Sequence, residues 1–309
     1  MIKLLRLLAI GALLCGFAVG GLHAYDHYKV SVLNHASKSS ADDLIDGASV
    51  VVGSSSLTFR PVATDPADSV ILLHAWGVPD PAAYSGLIEY LVNDGRKVHF
   101  PLYQRTFLPH SIADKVAKIL DADEPSWREH ARLLIGHSAG ATAGLDLALQ
   151  ELGSSRIEDV ILLSPGDGSG PDGKPAATSV KMLEWGQTEL APDPTASLPR
   201  FHIFVSKGDW HVGDFTARRI AEYLRTDIPA APVKLHTLPD DIGGCSNHFW
   251  PLGGTEEFEL PQGTQWFAAV DAKGRCGDWK TDPVDHVLHE FIGKTASARN
   301  SIQPRENGQ

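Results

Sequence analysis

The sequence predicts an α/β fold, in which helices cover both faces of a mostly parallel β-sheet. Apolar runs alternate with amphipathic segments from about residue 47 to residue 293, and this alternation is typical of parallel sheets. One of them, "SVILLHAW", is a continuous apolar run, as expected for a strand covered on both faces. The 309 residues suffice for one large domain.

The first half of this domain is predicted to contain four strands and two helices. "ASVVVGS" and "SLTFRP" are two short strands joined by a turn, and "SVILLHAW" and "KVHFPLY" are the next two strands. A helix lies between the latter pair, with Asp80 as its N-cap, Pro81 in its first turn and Gly95 at its end. One face of this helix carries Tyr84, Leu87, Ile88 and Leu91. "SIADKVAKIL" is the second helix, with Ser111 as its cap and Asp114 three residues later.

The second half repeats the alternation. The strands are "ARLLIG", "EDVILLS", "RFHIFVS" and "APVKLHTL", and the helices are residues 138–152, "VGDFTARRIAEYL" and "DPVDHVLHEFIG". Two irregular insertions, residues 166–199 and 249–281, interrupt the pattern, and long irregular stretches of this kind often form lids or binding loops. Residues 294–309 are predicted to be a disordered tail.

The N-terminus predicts export. Lys3 and Arg6 precede an apolar stretch over residues 7–22, which is the layout of a secretory signal. Residues 1–24 are therefore either a signal peptide cleaved after Ala24 or an uncleaved anchor in the inner membrane, and residues 25–46 are a polar linker. Both alternatives take the domain out of the cytoplasm, to the periplasm or the medium.

The composition excludes several classes of function. The net charge is −11, and the acidic residues are scattered, so nucleic acid is not an expected partner. The pair His286 and His289 in "HVLHE" lacks the HExxH spacing of a metal site. There is no CxxC motif, P-loop or dinucleotide fingerprint, and no metal site is predicted.

Ser138 is the predicted nucleophile. In "LLIGHSAGATAGL" it lies between the end of an apolar strand and the start of a helix. A sharp turn at this point would need Gly136 and Gly140, because side chains there would collide with the backbone. The helix N-terminus would direct N–H groups and positive partial charge at the same point. The alternative is a structural serine between two elements.

A serine hydroxyl needs a base, and His248 is the predicted one. It lies on the segment after the last predicted strand, in "LPDDIGGCSNHFW". His236 lies within that strand and is expected to be packed or exposed, and the side chain of His137 is expected to point away from that of Ser138.

Two aspartates compete for the role of orienting this base. Asp209 follows the penultimate strand in "VSKGDWHVGD", and a helix is predicted to begin shortly after it. Asp167 in "LLSPGDG" follows the strand before that one and could equally be a turn residue beside glycines. We predict Asp209.

Stabilising the oxyanion of an acyl-transfer intermediate requires two N–H donors. One is the backbone N–H of Ala139, which follows the nucleophile. The other is expected from the loop after an early strand, "HAWG", where the N–H of Trp76 is the best candidate.

With these residues, the chain resembles the α/β-hydrolase superfamily over residues 66–293, and most of all the exported bacterial chlorophyllase-like and polyester-hydrolase-like members. The resemblance lies in "HAWG", "GHSAGA", "GDWHV" and "DDIGGCSNH". The order Ser138, Asp209, His248 is the order of that superfamily, although His74-Ala75 stands where "HG" is usual. The resemblance implies hydrolysis of small or lipid-like carboxylic esters without a cofactor. An amidase, an acyltransferase or a non-catalytic binding protein on the same scaffold are the alternatives.

Export also bears on the cysteines. Cleavage after Ala24 would leave only Cys245 and Cys276, and an oxidising compartment favours a disulfide bond between them. Two free thiols are the alternative.

Overall fold

The computed structural model describes residues 33, 45, 48–62, 66, 68–75, 80–103, 110–166, 198–206, 209 and 212–238. The predicted signal or anchor, nearly all of the linker, the core of the first insertion, the histidine loop, the last helix and the tail lie outside these residues. The sections below concern the described part of the chain.

Eight strands form one sheet in the order β1-β2-β4-β3-β5-β6-β7-β8. β2 pairs antiparallel with β1 and β4, whereas all pairings from β4 to β8 are parallel. The strands are β1 (Ala48–Val52), β2 (Ser56–Pro61), β3 (Ser69–Leu73), β4 (Lys97–Pro101), β5 (Ala131–His137), β6 (Asp159–Leu163), β7 (Arg200–Ser206) and β8 (Val233–Leu238). Every strand predicted from the sequence is therefore present.

Five helices accompany the sheet in the part of the chain that the structure describes. They are α1 (Ser85–Asn93), α2 (His110–Asp123), α3 (Trp127–His130), α4 (Ala139–Gln150) and α5 (Phe215–Asp227), and a 3-10 turn at Pro81–Tyr84 leads directly into α1. Within the ranges given above, none of the helices combines the length and the apolar content that crossing a bilayer requires.

Both faces of the sheet are buried, as β3 shows. Val70 and Leu72 belong to the hydrophobic cluster that contains the buried residues of α1. Ile71 and Leu73 belong to a second cluster with residues of α2, α4 and α5. Because successive side chains of a strand point to opposite faces, a fully apolar run is what a strand between two helical layers requires. The α/β prediction is confirmed.

The first helical segment follows the predicted signals. The Asp80 carboxylate accepts a hydrogen bond from the N–H of Ala82 at 2.9 Å, and Pro81 opens the 3-10 turn. Gly95 follows the end of α1 with φ of 79°, a conformation that glycine adopts without strain.

Two details of the helices differ from the prediction. α2 begins at His110, one residue before the predicted cap Ser111, which therefore lies in its first turn. The first N–H groups of a helix have no acceptor within the helix, so no intrahelical hydrogen bond marks its first residue. The sequence pattern therefore locates the start of a helix only to within a residue or two. The short helix α3 was not predicted, because four residues are too few to show a helical period.

Candidate active site

Ser138 occupies a strained turn between β5 and α4. Its backbone angles are φ 55° and ψ −120°, a region that residues with a side chain rarely adopt. Its N–H donates to the carbonyl of Leu163 at 2.9 Å, and its own carbonyl accepts from Ala141 at 3.0 Å and from Gly166 at 3.3 Å. The turn is thus held by hydrogen bonds to the ends of β6 and α4, and only 9% of the serine surface is exposed.

Both glycines that flank Ser138 are required by close backbone approach. A Cβ at Gly140 would lie 2.5 Å from the carbonyl oxygens of Leu73 and His74. A Cβ at Gly136 would collide with the backbone of Gly140 and Ala141. The explanation given for these glycines from the sequence is therefore confirmed by the packing.

Ala139 is the first residue of α4. The first N–H groups of a helix have no acceptor within it, and they carry the positive end of the helix dipole. The N–H of Ala139 therefore belongs to a group of donors directly beside the serine, which is the position predicted for an oxyanion donor.

Asp209 lies in the connection between β7 and α5 and is only 2% exposed. Its carboxylate Oδ1 accepts a hydrogen bond from the N–H of Val212 at 3.0 Å, and its carbonyl accepts from Gly213 at 2.9 Å. Gly213 has φ of 63°, and α5 begins two residues later at Phe215. A tight turn thus fixes the carboxylate in a buried position at the end of the strand.

Packed residues connect Ser138 with Asp209. The N–H of Gly166 donates to the Ser138 carbonyl, and the side chain of Val212 lies against Gly166, where a Cβ would come within 2.5 Å of Val212 Cγ1. The N–H of Val212 in turn donates to Asp209. Since β5, β6 and β7 are adjacent and parallel, the serine and the aspartate lie at the same edge of the sheet.

Several predicted site residues fall outside the described residues. These are His248, Trp76, Asp167, Cys245 and Cys276. Of the predicted set, the structure brings together Ser138, Ala139 and Asp209 at one edge. His236 stacks on Phe204 with ring centroids 4.3 Å apart, which agrees with the expected packing role.

Two tyrosine hydroxyls hold one peptide group at the end of β3, and neither was predicted to do so. The Tyr103 hydroxyl donates to the His74 carbonyl at 2.6 Å. The N–H of the same peptide, that of Ala75, donates to the Tyr84 hydroxyl at 2.7 Å. All four residues are buried. The sequence offers one signal for such a contact, a tyrosine on an apolar helix face. A hydroxyl that is buried there needs a hydrogen-bond partner.

The next peptide carbonyl is held by the imidazole of His74. The Ala75 carbonyl can only accept, so the His74 Nδ1–H donates to it, at 2.9 Å. The imidazole stacks on the Tyr103 ring with centroids 4.1 Å apart. Burial lowers the pKa of His74 to about 4, so this imidazole is neutral near pH 7.

Tyr84 also reaches the turn that carries Ser138. Its hydroxyl lies 3.1 Å from Nδ1 of His137, the residue before Ser138. The His137 side chain is fully buried, in agreement with the structural role expected from the sequence. Burial raises the pKa of Tyr84, so its hydroxyl keeps its proton.

The described residues contain no group of three or more His, Cys, Asp or Glu side chains arranged to hold a metal ion. The chemistry available from this part of the site is that of a hydroxyl, a carboxylate and backbone donors.

The strand order, the antiparallel β2 and the serine turn after β5 together decide the fold. The chain has the α/β-hydrolase fold. No protein-family profile and no curated protein matches the sequence.

Solved structures resemble this chain at low identity. Esterase B from Lactobacillus rhamnosis is 15% identical with a TM-score of 0.48, over 82% of this chain and 94% of that one. A meta-cleavage product hydrolase from Pseudomonas fluorescens is 15% identical with a TM-score of 0.44, over 80% and 97%. An esterase from Pyrococcus furiosus is 15% identical with a TM-score of 0.43, over 62% and 83%. Similarity at this level carries no conclusion about activity.

Proposed function

We propose that the protein is a serine hydrolase that cleaves carboxylic esters through an acyl-enzyme. The observation that carries this proposal is the backbone of Ser138, held at φ 55° and ψ −120° at the N-terminus of α4. Such a strained conformation costs on the order of 1–3 kcal/mol. At Ser138 this strain coincides with the N-terminus of α4, whose first N–H groups point to the place where the oxyanion would form, and a nucleophile needs its hydroxyl raised above the end of the strand.

The proposed reaction has two halves that use the same groups. His248 removes the proton of Ser138 Oγ, which attacks the ester carbonyl carbon, and the resulting oxyanion is bound by the N–H groups of Ala139 and Trp76. The intermediate collapses, the C–O bond to the alcohol breaks, and His248 protonates the leaving alcohol. Water, deprotonated by His248, then attacks the acyl-enzyme and releases the acid and Ser138.

Asp209 completes the proposed triad. Its buried carboxylate would accept the second N–H of His248, hold the productive tautomer and stabilise the imidazolium that forms. The Val212 N–H that donates to Oδ1 fixes the orientation of this carboxylate, so the aspartate can in turn fix the histidine.

The expected setting of this reaction is outside the cytoplasm, on small or lipid-like esters. Residues 1–24 would direct export or remain as an anchor, and Cys245 would pair with Cys276. Mass spectrometry of the mature N-terminus and thiol titration of the denatured, unreduced protein test these two points.

The test of the proposal compares two serines that share an unusual backbone. Ser138 and Ser164 both have positive φ, 55° and 44°, at the ends of adjacent strands. We expect a fluorophosphonate probe and a series of p-nitrophenyl esters to react with the wild-type protein and with Ser164→Ala. Ser138→Ala should lose labelling and on the order of 10⁶ in kcat.

The series of esters, with acyl chains of increasing length, also defines the acyl preference. Retention of more than a few per cent of the activity or labelling by Ser138→Ala, or absence of both in the wild type, would refute the proposal.

A further inference from the structure

Side-chain hydrogen bonds from outside the sheet hold the end of β3. The His74–Ala75 peptide has its carbonyl bound by Tyr103 and its N–H bound by Tyr84, at 2.6 and 2.7 Å. Such bonds fix both the position and the plane of a peptide. Neither partner belongs to the neighbouring strands, because Tyr84 ends the 3-10 turn before α1 and Tyr103 follows β4.

This peptide lies directly beside the nucleophile turn. A Cβ on Gly140 would come within 2.5 Å of the His74 carbonyl oxygen, and Gly140 is only two residues from Ser138. The Tyr84 hydroxyl touches the imidazole of His137 at 3.1 Å. One hydroxyl group thus contacts both the end of β3 and the residue before the serine.

A third hydrogen bond holds the end of β3. The Ala75 carbonyl accepts from the His74 Nδ1–H at 2.9 Å. In the proposed function, the residue that follows Ala75 in the chain, Trp76, provides the second oxyanion donor.

We propose that Tyr84 and Tyr103 are positioning residues of the ester hydrolase site, whose hydroxyls fix the end of β3 relative to the turn that carries Ser138. The inference rests on the proposed function. The two tyrosines touch neither substrate nor reacting atoms. They act by keeping the backbone that should provide the second oxyanion donor at a constant distance from the nucleophile, and this matters most when the intermediate carries charge.

Tyr84→Phe and Tyr103→Phe test the proposal, because each keeps the ring and removes one hydroxyl. Tyr90→Phe is the matched control, since Tyr90 lies on α1 and packs against the same hydrophobic cluster as Tyr84. For each full-length variant, fluorophosphonate titration gives the concentration of active sites, and kcat and KM for a p-nitrophenyl ester are then expressed per active site.

We expect kcat per active site to fall about 10- to 100-fold in both variants, with KM changed less than about 2-fold. The inhibition constant of an alkyl boronic acid, which forms a tetrahedral adduct on the serine, should rise by a similar factor. Tyr90→Phe should change none of these. If one of the two variants does not fold, the other tests the same peptide from its opposite side.

Two results would overturn the inference in different ways. Normal kcat and normal boronic acid affinity in a folded Tyr84→Phe or Tyr103→Phe, even with lowered stability, would show that its hydroxyl has a structural role alone. A wild-type protein without labelling or ester hydrolysis would refute the proposed function itself, and the inference with it.

Discussion

Ser138 keeps a left-handed backbone because its surroundings leave it no alternative. Its peptide groups are bound to Leu163, Ala141 and Gly166, and the helix that follows packs against the end of β3. The closest point of this packing is Gly140, which lies beside the carbonyls of Leu73 and His74. The backbone conformation of Ser138 therefore depends on the absence of a side chain at Gly140.

Alanine at Gly140 tests this dependence. The new Cβ would lie 2.5 Å from two backbone oxygens, and moving the backbone costs more than moving the end of a side chain. The cost of overpacking should therefore outweigh the gain of about 1 kcal/mol in helix propensity. We expect the free energy of unfolding, measured with urea, to fall by about 1–2 kcal/mol.

Gly144→Ala is the control in the same helix. Its Cβ would meet the terminal Cδ2 of Leu134 at 2.5 Å, and a side-chain end can move, so stability should stay within about 1 kcal/mol of wild type. Equal losses in the two variants would contradict this account of the turn.

At the scale of elements, the connection from β7 to α5 favours Asp209 as the aspartate of the proposed triad. The parallel strands end at one edge, so both the turn after β7 and the segment after β6 start there. The β7–α5 connection buries Asp209 and binds its Oδ1 through the N–H of Val212. A carboxylate held in this way is suited to orienting an imidazole.

Asp209→Asn should therefore lower kcat on the order of 10⁴-fold without loss of folding, because the amide favours the wrong tautomer of His248. Asp167→Asn should have a far smaller effect. Steady-state ester hydrolysis, with far-UV circular dichroism as the folding control, measures both variants, and the reverse ranking would transfer the role of the acid to Asp167.

At the scale of the whole molecule, the protonation of buried side chains makes the free energy of unfolding depend on pH. Burial lowers the pKa of His74 and of His99 to about 4, and that of His202 to about 3. Between those values and about 6.5, the unfolded chain binds protons that the folded protein does not. The contribution of these neutral histidines to the free energy of unfolding is fully present above about pH 6.5 and is lost as the pH falls.

Asp146 on α4 works in the opposite direction. Burial, together with the charge of Asp114, raises its pKa to about 7, so between about pH 4 and pH 7 the folded protein holds a proton that the unfolded chain releases. Its contribution is present at low pH and is lost as the pH rises towards 7. Asp146 alone offsets only part of the loss of stability that the three histidines cause as the pH falls.

We therefore expect the free energy of unfolding to decrease from pH 7 to pH 5, by about 1–2 kcal/mol for each unopposed histidine. Asp146→Asn should be more stable than wild type at pH 8, should approach it at pH 5, and should show a steeper decrease between them. Urea titrations at four pH values measure this, and a flat profile, or a shallower one in Asp146→Asn, would contradict the assignment.

The strands and the serine turn were predictable because their causes are local. A continuous apolar run such as Val70 to Leu73 marks a strand between two helical layers, and the glycines on either side of Ser138 mark the close approach of backbone. Asp209 was predictable as well, since its place at a strand end follows from the alternation of elements.

The contacts that support the site were not predictable, because they join residues that only the strand order brings together. Tyr84 appeared in the sequence as one more residue on a buried helix face, yet its hydroxyl binds His137, 53 residues away. Likewise, the serines of the β1–β2 turn bind the carboxylate of Asp123, with Ser54 Oγ donating at 2.7 Å across 69 residues. No local pattern encodes such pairs.

The connection from β6 to β7 has a consequence for how proteins of this shape diverge. These strands are neighbours and parallel, yet residues 164–199 lie between them. The connection therefore leaves the sheet at the edge beside the serine and returns to it at the opposite edge, where Arg200 pairs with Asp159. Doubling the length of a flexible loop costs only about 0.6 kcal/mol in closure entropy. Insertions and deletions between these strands can accumulate during evolution while the sheet and the turn that carries Ser138 stay unchanged.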